Sequence, residues 1–483
     1  LERRTKIVAT LGPATDDPKA LDALIAAGVD VVRLNFSHGN AQQHKERAEK
    51  VRNRARACGR QVGVLADLQG PKIRIDRFKD GSVELVEGEQ FILDPTCDPL
   101  AGTVERVGIA YKELPTDTKR GDVLLLDDGR IELWVDAVEG SEIRCKVKVG
   151  GTLSNNKGIN RQGGGLSAPA LTDKDREDIK TAAEIKADYI AVSFPRSAED
   201  IEEARSLLQA AGGYGAIVAK VERTEALEVI DEIIEASDVI MIARGDLGVE
   251  IGDAALPPVQ KELIRKARAM NRVVITATQM MESMIENQIP TRAEVFDVAN
   301  SVFDGTDAVM LSAETAAGKF PDKAVAAMDR ICRVAEKQRV TMRSDHRIDT
   351  RFERVDEAIA MSAMYAANHL DVKAIAALTE SGSTTLWMSR ISSGIPIYAL
   401  TGHVRTRRKV TLYRGVYPIS FDTTATTDHA VVNKEAIDEL KRRGVVRDGD
   451  LVILTKGDLM GVLGGTNAMK IIRVGDEAPP NSQ

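Results

Sequence analysis

From residue 1 to about 340 the chain alternates short apolar runs rich in Val, Ile and Ala with longer amphipathic stretches. Such alternation marks repeated strand and helix units around a parallel sheet. The runs are KIVATLG (6–12), VDVVRLNFS (29–37), VGVLADLQG (62–70), ADYIAVSF (187–194), AIVAKVE (216–222), DVIMIARGD (238–246), RVVITATQ (272–279) and DAVMLSAE (307–314). Eight units fit a closed (β/α)8 TIM barrel or an open doubly wound sheet. Nearly every run ends in polar residues, and closed barrels gather their chemistry at strand C-termini, so the barrel is expected.

Residues 71–165 break this rhythm. IRIDRF, SVELVEG, DVLLLDDGRIELWVDAVEG and SEIRCKVKVGG alternate in the two-residue period of half-buried strands, with Asp-Gly and Glu-Gly turns between them. A small inserted β-barrel domain is expected there, hanging as a lid over the third strand's C-terminal end. After a charged linker, RSDHRIDTRFER (343–354), the pattern restarts with the helix VDEAIAMSAMYAANHL and the runs AIAAL, PIYAL, GVYPIS, DLVILT and KIIRV. The expected α/β organisation is therefore barrel (1–70), lid (71–165), barrel resumed (166–342) and an open α/β regulatory domain (343–483).

A length of 483 residues exceeds one hydrophobic core and agrees with several domains. Lys plus Arg number 66 against 73 Asp plus Glu, a net charge of −7, which argues against a nucleic-acid partner. Cys58, Cys97, Cys145 and Cys332 form no Cys-x-x-Cys pair, so reduced structural thiols are expected. LERRTKIVATLG lacks the apolar stretch of a signal peptide and no run is long enough to span a bilayer, which makes the cytoplasm the expected compartment and a membrane partner unexpected.

Chemistry concentrates at the strand ends. Lys220 and Glu222 close the fifth run and face one side by the two-residue period, while Asp246 closes the next. An isolated Lys-x-Glu is usually a structural ion pair; at adjacent barrel strand ends the two carboxylates suit magnesium or manganese. With only two protein carboxylates, the metal would keep waters or take phosphate oxygens, the arrangement of phosphoryl transfer. Gly245 lets the backbone approach a ligand, with free N–H groups following for a carboxylate. Thr278 faces the same opening, as a proton relay or as a plain strand threonine. Arg33, Asn35 and Ser37 alternate onto one face, and Asp67 ends the third run. Lys72 and Arg74 follow in GPKIR, so three cations surround one pocket of an otherwise acidic chain, pointing to an anionic substrate. No P-loop is present; GGGLSA (163–168) follows no strand and is discarded, and Thr172 with Asp175 forms a helix capping box. In the last domain Thr379, Ser381, Gly382, Ser383 and Thr384 lie between a strand and a helix. They form a phosphate site or a simple cap.

KIVATLGPAT, VVRLNFSHG, GPKIR, AVSFPRS, AKVER, IMIARGDLGVE, the long segment from TATQMMESM to AETAAGKFP, and TESGST together resemble pyruvate kinase over nearly the whole chain. The resemblance implies transfer of a phosphoryl group from phosphoenolpyruvate to ADP in glycolysis, by a homotetramer with a regulatory C-terminal domain. It implies that Lys220 steadies the transferring group, that Glu222 and Asp246 hold Mg2+ or Mn2+, and that Arg33 grips the phosphate. Gly245, Asp246 and Thr278 become substrate contacts, with Thr278 helping to protonate the enolate through water. Arg74, His38, Lys157 and Asn35 resemble nucleotide-side contacts, and Asn35, Ser37, Asp67 and the backbone of Leu68 match the family's potassium site.

Two departures carry further expectations. Asp67-Leu68 and Lys72 stand where many members have Asp-Thr and a glutamate, so the Lys72 ammonium takes the place of potassium and the enzyme works without it. Glu380 stands where responders to fructose bisphosphate carry lysine, so a sugar monophosphate or AMP is the expected activator. A barrel lyase acting on pyruvate-like enolates is the rival enzyme and a sugar-phosphate sensor the rival binding module; the lid and Lys220 argue against both.

Overall fold

The computed structural model describes residues 2–71, 73–342, 351–422, 428–458 and 464–476. Lys72 and most of the 343–354 linker lie outside the described residues.

All eight apolar runs are strands: β1 (Lys6–Thr10), β2 (Val31–Asn35), β3 (Gly63–Asp67), β4 (Tyr189–Val192), β5 (Ala216–Val221), β6 (Val239–Ala243), β7 (Val273–Ala277) and β8 (Ala308–Leu311). They close into one barrel in the order β1-β8-β7-β6-β5-β4-β3-β2, every neighbour parallel. The continuous Val/Ile/Ala runs follow from this, because a strand covered by helices outside and packed side chains inside has no face left for water. Six of the strands are buried at every position. The exceptions are Arg33 and Asn35 in β2 and Lys220 in β5, each half-buried. Polar side chains that interrupt an otherwise sealed barrel thus already point to the mouth.

The lid holds a six-stranded sheet ordered Ile159–Arg161, Val123–Leu126, Ile131–Glu139, Glu142–Val149, Gln90–Leu93, Arg106–Val107. A separate ladder pairs Gly151–Ser154 with Ser82–Leu85. The segment around Arg74 and Ile75 bridges one edge of the six-stranded sheet at Gly158 and the other at Ile109, so the sheet closes on itself through this segment as expected of a small β-barrel, and both ladders share one apolar core that includes Phe91, Leu124, Leu133, Val147 and Leu153. Gly70 is the junction with β3: its φ is +67°, and a Cβ there would lie 2.8 Å from the Ser193 Cβ, so only glycine fits. The expected capping box opens the helix Asp173–Glu184, and its Asp175 carboxylate also accepts the Gly70 N–H at 3.1 Å, tying the junction to the barrel.

The C-terminal sheet contains β9 (Val372–Leu378), β10 (Ile397–Thr401), β11 (Val416–Ser420), β12 (Leu451–Gly457) and β13 (Thr466–Arg473) in the order β11-β10-β9-β12-β13, with β13 antiparallel. Barrel residues such as Val8, Leu65, Tyr189 and Met310 belong to the same buried cluster as Met364, Ile375 and Leu412 of this domain. A fully buried ion pair, Arg390 with Asp307, adds a polar anchor just before β8. Among the described residues no helix is long and apolar enough to cross a membrane, and the four cysteines are unpaired.

Candidate active site

The C-terminal ends of β2, β3 and β5 and the residue after β4 bring polar side chains to one point. Lys220 Nζ lies 2.9 Å from Glu222 Oε1 and 3.4 Å from Asp67 Oδ1, and donates to Ser193 Oγ at 2.8 Å. Arg33 Nε donates to Asp67 Oδ2 at 2.6 Å and its Nη1 to Thr10 Oγ1 at 3.1 Å. Burial pulls the Lys220 ammonium down, but Asp67 and Glu222 outweigh it and hold it above its ordinary value. Burial pushes the Asp67 carboxyl up, yet Lys220 and Arg33 hold it below the usual carboxylate range. Lys220 and Asp67 thus hold each other in their charged forms.

Asp246 sits in the first turn of the helix Arg244–Ile251 that follows β6. Its carboxyl is pushed up to about 7 by burial and then by the negative charge of Glu222. Two acids that resist being ionised together are what a hard divalent cation relieves, so this pair fits magnesium or manganese. Among the described residues no group of three or more His, Cys, Asp or Glu could hold a metal, leaving the remaining coordination to substrate oxygens or water.

After β7 the backbone turns sharply, with φ of +65° at Thr278 and +55° at Gln279. A threonine in the left-handed region is strained. Arg244 holds it there: Nη2 donates to Thr278 O at 2.8 Å and Gln279 O at 3.1 Å, and a two-pronged pair with Asp297 fixes the guanidinium at 2.7 and 2.8 Å. The turn aims Thr278 Oγ1 at the Gly245 N–H, 2.8 Å away, while the hydroxyl donates to Ala277 O.

Between this mouth and the lid lies a cavity of about 300 Å3. Asp246 and Glu250 line its barrel side, and Arg74, Asp127, Asp128 and Lys157 its lid side. Lys157 pairs with Asp127 at 2.6 Å, and Arg74 bridges to Gly158 in the lid. A phosphate chain lying here would meet cations from the lid and carboxylates from the barrel.

The family profile described as "Pyruvate kinase, barrel domain" matches residues 2–325, and "Pyruvate kinase, alpha/beta domain" matches residues 357–472. The chain belongs to the pyruvate kinase family. It is 59% identical over 476 residues to Pyruvate kinase II of Salmonella typhimurium (strain LT2), covering 98% of this chain and 99% of that protein. Pyruvate kinase of Haemophilus influenzae is 57% identical, covering 94% and 96%, and that of Mycobacterium intracellulare 42%, covering 99% and 100%. Pyruvate kinases are phosphotransferases that use phosphoenolpyruvate, ADP and a divalent metal.

The structure brings Arg33, Asp67, Lys220 and Glu222 into one cluster and sets Gly245 against Thr278. Arg74, Lys157 and Asp246 share the cavity. Asn35 pairs with Asp67 across β2 and β3, and its Oδ1 accepts the Ser37 N–H at 3.0 Å. The Leu68 carbonyl accepts the Ser193 hydroxyl at 2.7 Å. His38 is exposed, and its carbonyl contacts the His44 ring at 2.9 Å. In the C-terminal domain Thr379 Oγ1 accepts the Gly382 N–H at 2.9 Å, and the Ser381 and Ser383 hydroxyls are 2.8 Å apart. Thr384 instead turns inward, 2.8 Å from the Thr466 hydroxyl. Lys72 lies outside the described residues.

Three residues escaped the sequence reading. Ser193 directly follows β4 inside AVSF, where its polar tip was a visible signal. Arg244 stands directly before Gly245 and Asp246 with nothing local to mark it, and its partner Asp297 lies on the helix Arg292–Asp304 with no local cue.

Proposed function

We propose that Lys220, Arg33, Glu222, Asp246 and Thr278 form the centre at which this chain moves the phosphoryl group of phosphoenolpyruvate to ADP. The observation that carries the assignment is the Lys220 ammonium, kept charged by two buried carboxylates at the convergence of four strand ends. Arg33 and Lys220 bind the phosphoryl oxygens and stabilise the charge that spreads over them during transfer, a contribution that rests on positioning. The ADP phosphate oxygen forms the new P–O bond as the bond to the enolate oxygen breaks. Lys220 faces that oxygen, and a proton reaches the methylene carbon through water ordered by the Thr278 hydroxyl. Glu222 and Asp246 would hold the divalent metal, which supplies positive charge to the phosphoryl and enolate oxygens. Arg74 and Lys157 orient the diphosphate, with Asn35 and His38 at the rim.

Asn35, Ser37, Asp67 and Leu68 supply the oxygens of a monovalent cation site. Lys72 follows Pro71, which lines the cavity that holds Arg74 and Lys157, and its ammonium replaces potassium. Full activity with a bulky organic cation in place of potassium is the expected result, and a strict potassium requirement would sink the reading. A sugar monophosphate or AMP binds at Thr379, Ser381, Gly382 and Ser383, with Thr384 turned inward and left out, and Glu380, held 2.5 Å from His403, disfavours a second phosphate. Calorimetric titration of each candidate separates them. The active form is a cytoplasmic homotetramer, checked by sedimentation.

A further inference from the structure

Behind the barrel, where the C-terminal domain docks, four arginines meet two carboxylates. Arg390 is fully buried and saturates Asp307, whose oxygens also accept the Val274 and Arg414 N–H groups. Glu336 accepts the N–H groups of Arg4 and Thr5 and lies 3.8 Å from Arg4 Nε. Arg268 and Arg414 remain. Among the described residues neither has a carboxylate within salt-bridge distance. Arg268 Nη2 reaches only the Arg390 carbonyl at 2.7 Å and the Ser392 hydroxyl at 3.4 Å. Arg414 is 7% exposed; among the described residues its Nη1 makes one long contact, 3.4 Å to Val302 O, and its Nη2 is buried with no hydrogen-bond partner.

These groups are not scattered. Arg4, Arg268 and Arg414 line one interface cavity of about 20 Å3 together with Ser389, Ser392 and Ser393. Buried charges are normally paired, and a buried arginine nitrogen left without a partner is costly. A water would satisfy the hydrogen bond but leave the excess positive charge uncompensated. The space accepts about one water-sized guest, which rules out sulfate, phosphate or any organic anion. The burial of Arg268, followed by repulsion from Arg414 and Arg390, pushes its guanidinium down to about 10, a strain that an anion would relieve.

We propose that this cavity binds one monatomic anion, chloride in solution, which neutralises Arg268 and Arg414 and fastens the C-terminal domain to the barrel. The site is remote from the catalytic mouth, so the anion acts on the interface and not on the reacting atoms.

Crystals of the full chain grown in bromide give the direct test. The expected result is an anomalous peak in the cavity within hydrogen-bond distance of Arg414 Nη2. In solution, exchanging gluconate for chloride at fixed ionic strength should raise Tm saturably by about 2 °C or more, and the rise should vanish in Arg414→Gln. Should that variant fail to fold, Arg268→Gln supplies the same comparison and the bromide map still decides. An ordered water without anomalous signal at the cavity, or a chloride effect that survives both substitutions, would overturn the proposal.

Discussion

A single side chain, Lys220, shows how a buried charge is kept and used. Its ammonium stays ionised because Asp67 and Glu222 outweigh the burial that opposes it, and the same fixed charge then faces the substrate. Lys220→Met is expected to lower kcat by at least about 10²–10³-fold in steady-state assays, the scale of losing one electrostatic contact to a transition state. Asp188, at the other end of the barrel, is the contrasting case. One of its oxygens accepts the Val64 N–H at 2.8 Å while the other, among the described residues, is buried without a hydrogen-bond partner, and burial pushes the carboxyl up to about 6. Between pH 4 and pH 6 the folded chain therefore binds more protons at Asp188 than the unfolded one, so this group's contribution falls as pH rises across that window. Asp188→Asn should be more stable than the parent above pH 6, by on the order of 2–3 kcal/mol, and indistinguishable below pH 4. Denaturant midpoints across the range check both ends.

At the scale of elements, the strained turn after β7 is positioned from outside the barrel. Asp297, on the helix Arg292–Asp304, fixes Arg244, which fixes the Thr278 carbonyl and so the direction of the Thr278 hydroxyl. Asp297→Ala is expected to lower kcat by about tenfold or more with little change in the KM for ADP; a change in KM alone would mean the turn is held by something else. This relay also shows where sequence reading stops. The barrel was legible because parallel strands buried on both faces leave continuous apolar runs, and Arg33, Asn35 and Lys220 because they interrupt those runs. Asp297 and the Arg390–Asp307 pair were not, since each depends on contacts between segments far apart in sequence. The lid's alternation revealed its strands, but the period of two carries no information on which segment joins the sheet edges, a role that falls to the short bridges of Arg74 with Gly158 and Ile75 with Ile109.

For the whole molecule, the shared apolar cluster and the Arg390–Asp307 pair make the barrel and the C-terminal domain one packed body. Removing one partner of such a pair leaves the other charge buried, so Arg390→Ala should cost about 3–5 kcal/mol in denaturant unfolding. The strand-end chemistry can remain intact in that variant, which separates docking from catalysis. The most direct check on the central assignment is ADP-dependent pyruvate formation from phosphoenolpyruvate with magnesium, measured side by side for the parent chain and Lys220→Met with phosphoenolpyruvate binding recorded for both. The expected result is rapid pyruvate formation by the parent and near-complete loss in the variant while binding persists; undiminished turnover in Lys220→Met would contradict the placing of phosphoryl transfer at this cluster.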